Sequence, residues 1–276
     1  MEKKSKFFWL KIAITIIGFG GAVLFKSTID WTNIQNNYID LSLLKEIAYD
    51  LSIGVFSAMI LVWFIDEIGQ HIQARQSKEK ECAIIKRFDR VLQQYIDRYV
   101  TMYYCVVTPL EERLKQVTGP DSTMDAKMPE IFYLKDMRDL YQSSLLLRDG
   151  TSDSSISAFL DIEFSLRNEF IHLVENNNFE HYTSFPDIFL RFVNVSLKYD
   201  CRGNILEAPK RKVGEKPMAT FISECLENDA DDFYEKVLAG RGIGGNLMSP
   251  YILLYEMMKQ ERKIILEYQE EIKKLN

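Results

Sequence analysis

Two long apolar stretches near the N-terminus dominate the hydrophobic pattern of the chain. The first, residues 7–25, contains Lys11 as its only charged residue, and the second, at about residues 47–65, contains Asp50 near its start. Each is close to the ~20 residues that a helix needs to cross the hydrocarbon core of a bilayer. The pattern therefore predicts an N-terminal membrane hairpin over residues 1–68, formed by two transmembrane helices.

The charged residues around these stretches predict the orientation of the hairpin. Lysines precede the first stretch and several basic residues follow the second, whereas acidic residues outnumber basic ones in the connection. Because basic residues stay on the cytoplasmic side, both termini and the C-terminal domain are expected in the cytoplasm. Trp9 and Trp63 would then lie at the inner interface and Trp31 and Tyr38 near the outer one, as aromatic belts do.

Small residues occur at four-residue spacing in both stretches. Gly18 and Ala22 form one such pair, and Gly54 and Ala58 form the other. Such pairs let membrane helices approach closely, either within the hairpin or between copies of the chain, although glycine is also simply common in membrane helices. No row of charged residues is present, so a single hairpin is not expected to line a permanent pore.

Residues 69–118 are predicted to form a long juxtamembrane helix. Apolar side chains recur there at spacings of three and four, namely Ile85, Phe88, Leu92, Tyr95, Tyr99, Met102 and Val106. This heptad stripe fits the core-facing side of a helix in a helical domain. It also fits a parallel coiled coil that joins protomers of a homo-oligomer below the membrane. The pattern leaves both interpretations open.

The remaining residues, 119–276, are predicted to form a helical domain that packs on the juxtamembrane helix. Helices are expected at Pro129–Leu147, about Ser155–Val174, Pro186–Tyr199, near 217–227 and 230–239, and about Pro250–Leu275. The turn-forming stretch 117–128 and a basic loop at 200–216 separate them. No β-type alternation of any length is visible, so the predicted fold class is all-α.

Charge and cysteine content limit the binding partners and the cellular compartment expected for the chain. The net charge of −6 over 276 residues argues against general binding to nucleic acid or to anionic membranes, although a local basic patch remains compatible with it. The four cysteines are scattered without a CxxC spacing. This usage fits a reducing cytosol better than a disulfide framework.

The most specific local pattern is Arg167-Asn168-Glu169-Phe170-Ile171-His172, within a segment predicted to be helical. It resembles the R-N-x-x-x-H motif of HEPN-type ribonucleases, which are all-α and usually dimeric. The resemblance implies that Arg167 and His172 act as catalytic residues on RNA, a cation near the scissile phosphate and an acid/base imidazole beside the ribose hydroxyl. The alternative is a surface arginine and a half-buried histidine in an ordinary amphipathic helix.

Other candidate chemistry is sparse. Glu169 and His172 have the spacing of a di-iron pair, but the chain offers no second pair of this kind, so neither a metal nor a cofactor is predicted. The basic residues Lys210, Arg211 and Lys212, together with Arg241 in a glycine-rich segment, are candidates for binding lipid head groups, nucleic acid or a nucleotide signal. A solvated loop and a flexible connector are the commoner outcomes for such segments.

The overall plan also resembles a known group of proteins. A hairpin with a polar first turn (Asp50) and an acidic exit (Asp66-Glu67), followed by a long helix and an all-α domain, is similar to the two-transmembrane effectors of bacterial anti-phage systems, including those of retrons and abortive-infection modules. The resemblance implies a location in the bacterial inner membrane, control by a regulatory protein or nucleoprotein partner, and damage to the lipid bilayer after triggering. A non-catalytic membrane adaptor is a further hypothesis, and enzymatic activity is not favoured.

Overall fold

The computed structural model describes residues 2–26, 41–118, 126–148, 151–228, 234–235 and 247–275. The chain divides into two compact units, an N-terminal unit, Met1–Glu79, and a C-terminal unit, Lys80–Asn276. The sequence had placed its boundaries near residues 68 and 118. The observed division, after Glu79, lies inside one continuous helix, Leu41–Val107. The hydropathy of the sequence falls before this point, but the backbone does not break there.

The N-terminal unit contains helix α1, Glu2–Lys26, and the first part of helix α2, which runs from Leu41 to Val107. Neither segment contains a proline, and their glycines lie inside continuous helix. Apolar residues dominate both, but many of them are β-branched or aromatic and lose rotamer freedom in a helix, so intrinsic propensity alone does not explain these helices. Two transmembrane helices were predicted here; both segments are helical, and the first extends over Glu2–Lys26 while the second continues far beyond residue 65.

The C-terminal unit contains the end of α2 and six further helices among the described residues. These are α3, Leu110–Thr118, α4, Ser155–Asn176, α5, Ser184–Lys198, α6, Arg202–Glu207, α7, Met218–Asn228, and α8, Ser249–Leu275. The all-α fold class is therefore confirmed. The predicted helices at 155–174, 186–199, 217–227 and 250–275 are confirmed with small shifts of their ends, whereas most of the one near 230–239 lies outside the described residues.

The helix predicted over residues 69–118 ends earlier than predicted. Helix α2 stops at Val107 because Pro109 has no backbone N–H to continue the ladder. The carbonyl of Pro109 then accepts from Glu112 at 3.1 Å and starts α3, while the N–H of Leu110 donates to the Asp139 carboxylate at 2.8 Å. The side chain of Asp139 thus satisfies one of the unpaired donors at the start of this helix.

The predicted helix at Pro129–Leu147 is wrong. The segment forms a 3-10 helix, Leu134–Asp139, and strand β1, Ser143–Arg148, which pairs antiparallel with β2, Thr151–Ser154. Leu145 has φ 62°, within an irregularity of the register. The apolar spacing of this segment did not indicate its structure. In the predicted helix Ile131 would lie on the buried side, but it is 70% exposed.

The basic loop predicted at 200–216 is instead ordered structure. It contains α6, a second 3-10 helix, Ala208–Lys210, and a small hairpin of β3, Lys212–Val213, and β4, Lys216–Pro217. Gly214 has φ 64° in the turn between the two strands, a conformation that glycine adopts without steric cost. The prediction of no strands is corrected at both hairpins, which are too short to produce an alternating pattern.

The heptad stripe of α2 faces the core of the C-terminal unit. Ile85, Leu92, Tyr99 and Val106 are buried, and the positions between them are partly buried. Hydrogen bonds from Tyr99 to Glu261 and from Tyr268 to Asp89, both 2.8 Å, connect α2 to α8. The core-helix interpretation of the stripe is therefore confirmed for these residues, which are packed within one chain.

Aromatic side chains fill the centre of this core. The rings of Phe170 and Phe189 stack with centroids 4.7 Å apart, and Phe192 meets Phe170 edge-on at 5.1 Å. Tyr99 contacts Phe159 at 5.3 Å. Such pairs add ~0.5–1.5 kcal/mol each beyond the burial of their area. They hold α2, α4 and α5 together around the polar groups described below.

Candidate functional sites

An apolar surface on α2 is the first candidate site. Among the described residues, one helix, Leu43–Val107, is long and apolar enough to cross a membrane by its length and composition, and none of its most apolar 18-residue window is buried. Large exposed side chains there include Leu51, Ile60, Leu61, Phe64 and Ile65. The structure thus gives one candidate span instead of the two predicted; α1 is helical but is not a second one by this criterion.

Helix α1 nevertheless packs closely against α2. A Cβ on Gly18 would lie 3.1 Å from the backbone nitrogen of Phe56 and 3.2 Å from Cγ1 of Val55. A Cβ on Gly21 would lie 2.7 Å from the Ser52 hydroxyl oxygen. Phe19 and Phe56 also contact each other, with ring centroids 5.4 Å apart. The pairing of residue 18 with 56 and of residue 21 with 52 means that the two segments run antiparallel.

The two small-residue pairs have different surroundings. Gly18 is buried at the α1–α2 contact and Ala22 is partly buried. A Cβ on Gly54 would meet nothing within 4 Å, and Ala58 is exposed. The packing predicted at Gly18 is therefore present within the chain, whereas the pair Gly54 and Ala58 lies on a surface that no described residue covers.

An ion pair also joins the two helices of the N-terminal unit. The ammonium group of Lys11 contacts the carboxylate of Asp66. The hydroxyls of Thr15 and Ser52 donate back to carbonyls of their own helices, at 2.8 and 2.7 Å. These four polar side chains therefore bond within the N-terminal unit.

The two residues of the R-N-x-x-x-H pattern have separate environments. Arg167 donates from Nη1 to the Ser196 hydroxyl at 2.9 Å, and its guanidinium lies 4.8 Å from the centre of the Phe164 ring. His172 is exposed, and no described hydrogen bond or ion pair connects it to Arg167. No described contact joins the two side chains within one protomer, and their catalytic role stays a prediction.

Two buried carboxyl groups form a polar network that the sequence analysis missed. Glu261 of α8 is 0% exposed, and its Oε2 accepts from the Tyr99 hydroxyl. Glu163 of α4 is 5% exposed and accepts from the Ser196 hydroxyl, which accepts in turn from Arg167. The pattern did contain a signal, because Glu261 lies three residues after Met258 and four before Ile265, within the apolar stripe.

Burial changes the acidity of both groups. Burial raises the pKa of Glu261 well above its ordinary value, and the negative charge of Glu163 raises it further. Burial also raises the pKa of Glu163, although the hydrogen bond from Ser196 and the charge of Arg167 act in the opposite direction. Perturbed carboxyl groups often occur in active sites. Here neither carboxyl lines a described cleft, so the network is part of the core.

A second polar cluster surrounds Glu81 near the start of the C-terminal unit. Its carboxylate accepts from the ring Nδ1 of His181 at 2.8 Å and from the backbone N–H groups of Glu180 and His181 at 3.2 and 2.9 Å. Burial alone raises the pKa of Glu81, but these hydrogen bonds outweigh it and the pKa is lowered. Donor atoms of the three side chains lie within 4.8 Å of one another, close enough for one metal ion. The hydrogen bonds already account for the arrangement.

The predicted anion-binding residues are exposed but partly neutralised. Lys210 donates to Glu207 at 2.7 Å, and Lys216 donates to both carboxylate oxygens of Glu224 at 2.9 Å. Arg211 and Lys212 are exposed on the same hairpin. Arg241 lies outside the described residues, as do Trp31 and Tyr38 of the predicted outer interface, so the proposed group of four is not assembled on the described surface.

Comparison with protein-family models, with curated proteins and with solved structures gives no match for this chain. The function of this chain is therefore inferred from the contacts and the exposed surfaces of each unit. Of the candidate sites, the apolar surface of α2 is the one whose exposure is unfavourable in water.

Proposed function

We propose that this chain is a membrane-anchored, homo-oligomeric effector or sensor of bacterial anti-phage defence, which perturbs the inner membrane when it is triggered. Helix α1 and the first part of α2 form its two-helix anchor, with both termini and the C-terminal unit in the cytoplasm. A regulatory protein or nucleoprotein partner holds it inactive. It needs no cofactor, and it acts through the bilayer instead of through an active site.

The exposed apolar surface of α2 is the observation that supports this proposal most. Large apolar side chains occupy consecutive positions around the helix at residues 60–65, and all of them are exposed. Contiguous exposed apolar surface is unfavourable in water and is typical of sites that meet lipid or another protein. A helix that is apolar on every side is typical of a membrane span.

The contacts of α1 supply further support. The glycines at 18 and 21 let α1 approach α2, which is how helices associate where lipid surrounds them. Asp66 and Lys11 neutralise each other, so the charge of Lys11 within the first apolar stretch has a partner. A paired charge is far less costly at the edge of a membrane than an isolated one.

Induced expression in bacteria, with a membrane-potential dye and cell fractionation, tests the proposal. We expect the wild-type chain in the membrane fraction and a loss of potential together with growth arrest. Ile60→Arg places a charge in the apolar surface at a cost of ~2.5–3.5 kcal/mol for insertion and should reduce both effects. Ile84→Arg, on the same helix and 40% exposed, is the matched control and should retain them.

Two results would reject the proposal. Cells that keep their membrane potential while translation stops would point to a target other than the bilayer. If the Ile60→Arg and wild-type chains associate equally with the membrane, the apolar surface of α2 is not a membrane anchor. A stable co-purifying protein together with an absence of toxicity would favour the adaptor hypothesis.

A further inference from the structure

Glu163 and Glu261 bring two carboxyl groups into the core from two different helices. Each accepts one hydrogen bond from a neutral hydroxyl, Glu261 from Tyr99 and Glu163 from Ser196. Among the described residues, neither carboxyl forms an ion pair. A buried charge without a cation bonded to it is strongly unfavourable, whereas a protonated acid carries no charge.

Glu261 is the member of the pair with the less polar surroundings. Its Oε1 is buried and has no hydrogen-bond partner among the described residues, so none of them would donate to this oxygen in an ionised Glu261. Burial and the charge of Glu163 raise the pKa of Glu261. The hydrogen bond from Tyr99 and the charge of Arg167 act in the opposite direction on Glu261. On Glu163, the hydrogen bond from Ser196 and the charges of both Arg167 and Arg202 oppose the increase. Glu163 is therefore the member that can carry negative charge, and Glu261 the member that holds a proton.

The groups that face the pair come from every element packed around it. They are Tyr99 and Tyr103 from α2, Arg167 from α4, Asp200, Cys201 and Arg202 from the segment after α5, and Arg262 from α8 beside Tyr103; α5 contributes Ser196. Burial raises the pKa of both tyrosines, so they stay neutral donors. Loss of the proton from Glu261 would consequently place a new charge beside neutral phenols and one like charge, with the more distant charge of Arg167 as its compensation.

We infer that Glu261 and Glu163 form a proton-linked lock on helix α8, which keeps the helix packed in the core only while Glu261 is protonated. The direction follows from linkage. A carboxyl whose pKa is higher in the folded state stabilises the fold below its ordinary pKa, and this stabilisation disappears as the pH rises through the folded value. Alkaline conditions therefore loosen α8. The inference is independent of the proposed membrane function.

Hydrogen exchange of the full-length protein in detergent, measured by mass spectrometry from pH 6 to 9, tests the lock. After correction for intrinsic exchange, the opening constant of α8 should rise with pH, approaching about tenfold per pH unit while Glu261 is protonated only in the folded state. Glu261→Gln keeps an oxygen that accepts from Tyr99 but cannot ionise. It should give a flat profile with stronger protection at the alkaline end.

Glu270→Gln is the matched control, because Glu270 is an exposed carboxyl on the same helix; this variant should retain the wild-type slope. A flat wild-type profile, or identical slopes for the wild type and Glu261→Gln, would overturn the inference. If Glu261→Gln does not fold, Glu163→Gln decides the question. It removes the like charge and should reduce the total alkaline loss of protection, so an unchanged loss would overturn the lock.

Discussion

The guanidinium of Arg167 donates a hydrogen bond to the hydroxyl of Ser196 at 2.9 Å and thereby joins α4 to α5. Ser196 in turn donates to Glu163, so three side chains form one polar chain inside the C-terminal unit. The residue that resembled a catalytic arginine thus has a structural contact. His172, five residues along the same helix, is exposed.

Substitution of these two residues should therefore have unequal effects on stability. Arg167→Ala removes a charge-assisted donor and leaves the network incomplete, so we expect a loss of ~1–3 kcal/mol in the free energy of unfolding. His172→Ala changes an exposed side chain and should stay within ~0.5 kcal/mol of the wild type. Denaturant unfolding of the full chain, followed by circular dichroism, measures both.

The same pair separates the two functional hypotheses. Growth arrest that survives His172→Ala removes the ribonuclease prediction. If instead His172→Ala abolishes the arrest while the free energy of unfolding is unchanged, the membrane mechanism loses its basis and a dimeric ribonuclease gains one.

Close packing of α1 on α2 leads to a second prediction. Gly18→Leu should separate the helices, because even a Cβ at residue 18 would lie 3.1 Å from the backbone of Phe56. Carbodiimide couples an ammonium group directly to a neighbouring carboxylate, so the yield of the Lys11–Asp66 cross-link reports the contact. We expect a marked loss of this cross-link by mass spectrometry in Gly18→Leu.

Gly54→Leu is the control for that experiment. A Cβ at Gly54 would meet nothing within 4 Å, so the substitution should leave the intramolecular cross-link intact. Equal yields in both variants would show that Gly18 does not set the distance between the helices. Loss of membrane toxicity in Gly54→Leu alone, with the cross-link intact, would support the predicted contact between copies of the chain.

Acidification should release the loop before α5. The pKa of Glu81 is lowered in the folded state, so its bonds stabilise the fold above the ordinary value of 4.5 and are lost as the pH falls through the folded value. The amides of Glu180 and His181 should lose protection against exchange over this range. Glu81→Gln should abolish the pH dependence, whereas Glu79→Gln, an exposed neighbour, should preserve it; the reverse pattern would exclude Glu81 as the cause.

Periodicity predicted the helices well where one side of the helix is buried. The stripe from Ile85 to Val106 and the corresponding residues of α8 both face the core, because a 3.6-residue repeat places them on one side. The helix predicted from periodicity at Pro129–Leu147 was wrong, because tertiary contacts decide the structure of this segment. The Ser143 carbonyl accepts from Arg113 instead of from a helical N–H, and no local pattern indicates this.

The sites were predictable only in part. Charged residues inside an apolar stripe, such as Glu261 in α8 and Glu163 between Phe159 and Leu166 in α4, can be recognised in the sequence as buried polar groups. Their mutual proximity cannot, because it depends on how α4 and α8 pack. Glu81 and His181 are likewise 100 residues apart, and their contact appears only when the chain is folded.

Arg113 gives the last prediction. Its side chain is 0% exposed and donates to the carbonyls of Thr108 and Ser143 at 3.0 and 2.6 Å and to the hydroxyl of Ser155 at 3.0 Å. Burial lowers the pKa of this guanidinium. Its three hydrogen bonds connect the turn before α3, strand β1 and the start of α4. Arg113→Ala would remove the donor that these three acceptors share and create a cavity.

We therefore expect Arg113→Ala to reduce the free energy of unfolding by ~2–4 kcal/mol. Arg98→Ala, which truncates an exposed arginine of α2, should change it by less than ~0.5 kcal/mol. Arg113→Lys should recover only part of the loss, because one ammonium group cannot reproduce the fork of donors that reaches three acceptors. Equal stability of the alanine and lysine variants would mean that the three hydrogen bonds contribute little, and that the volume of the side chain is what matters.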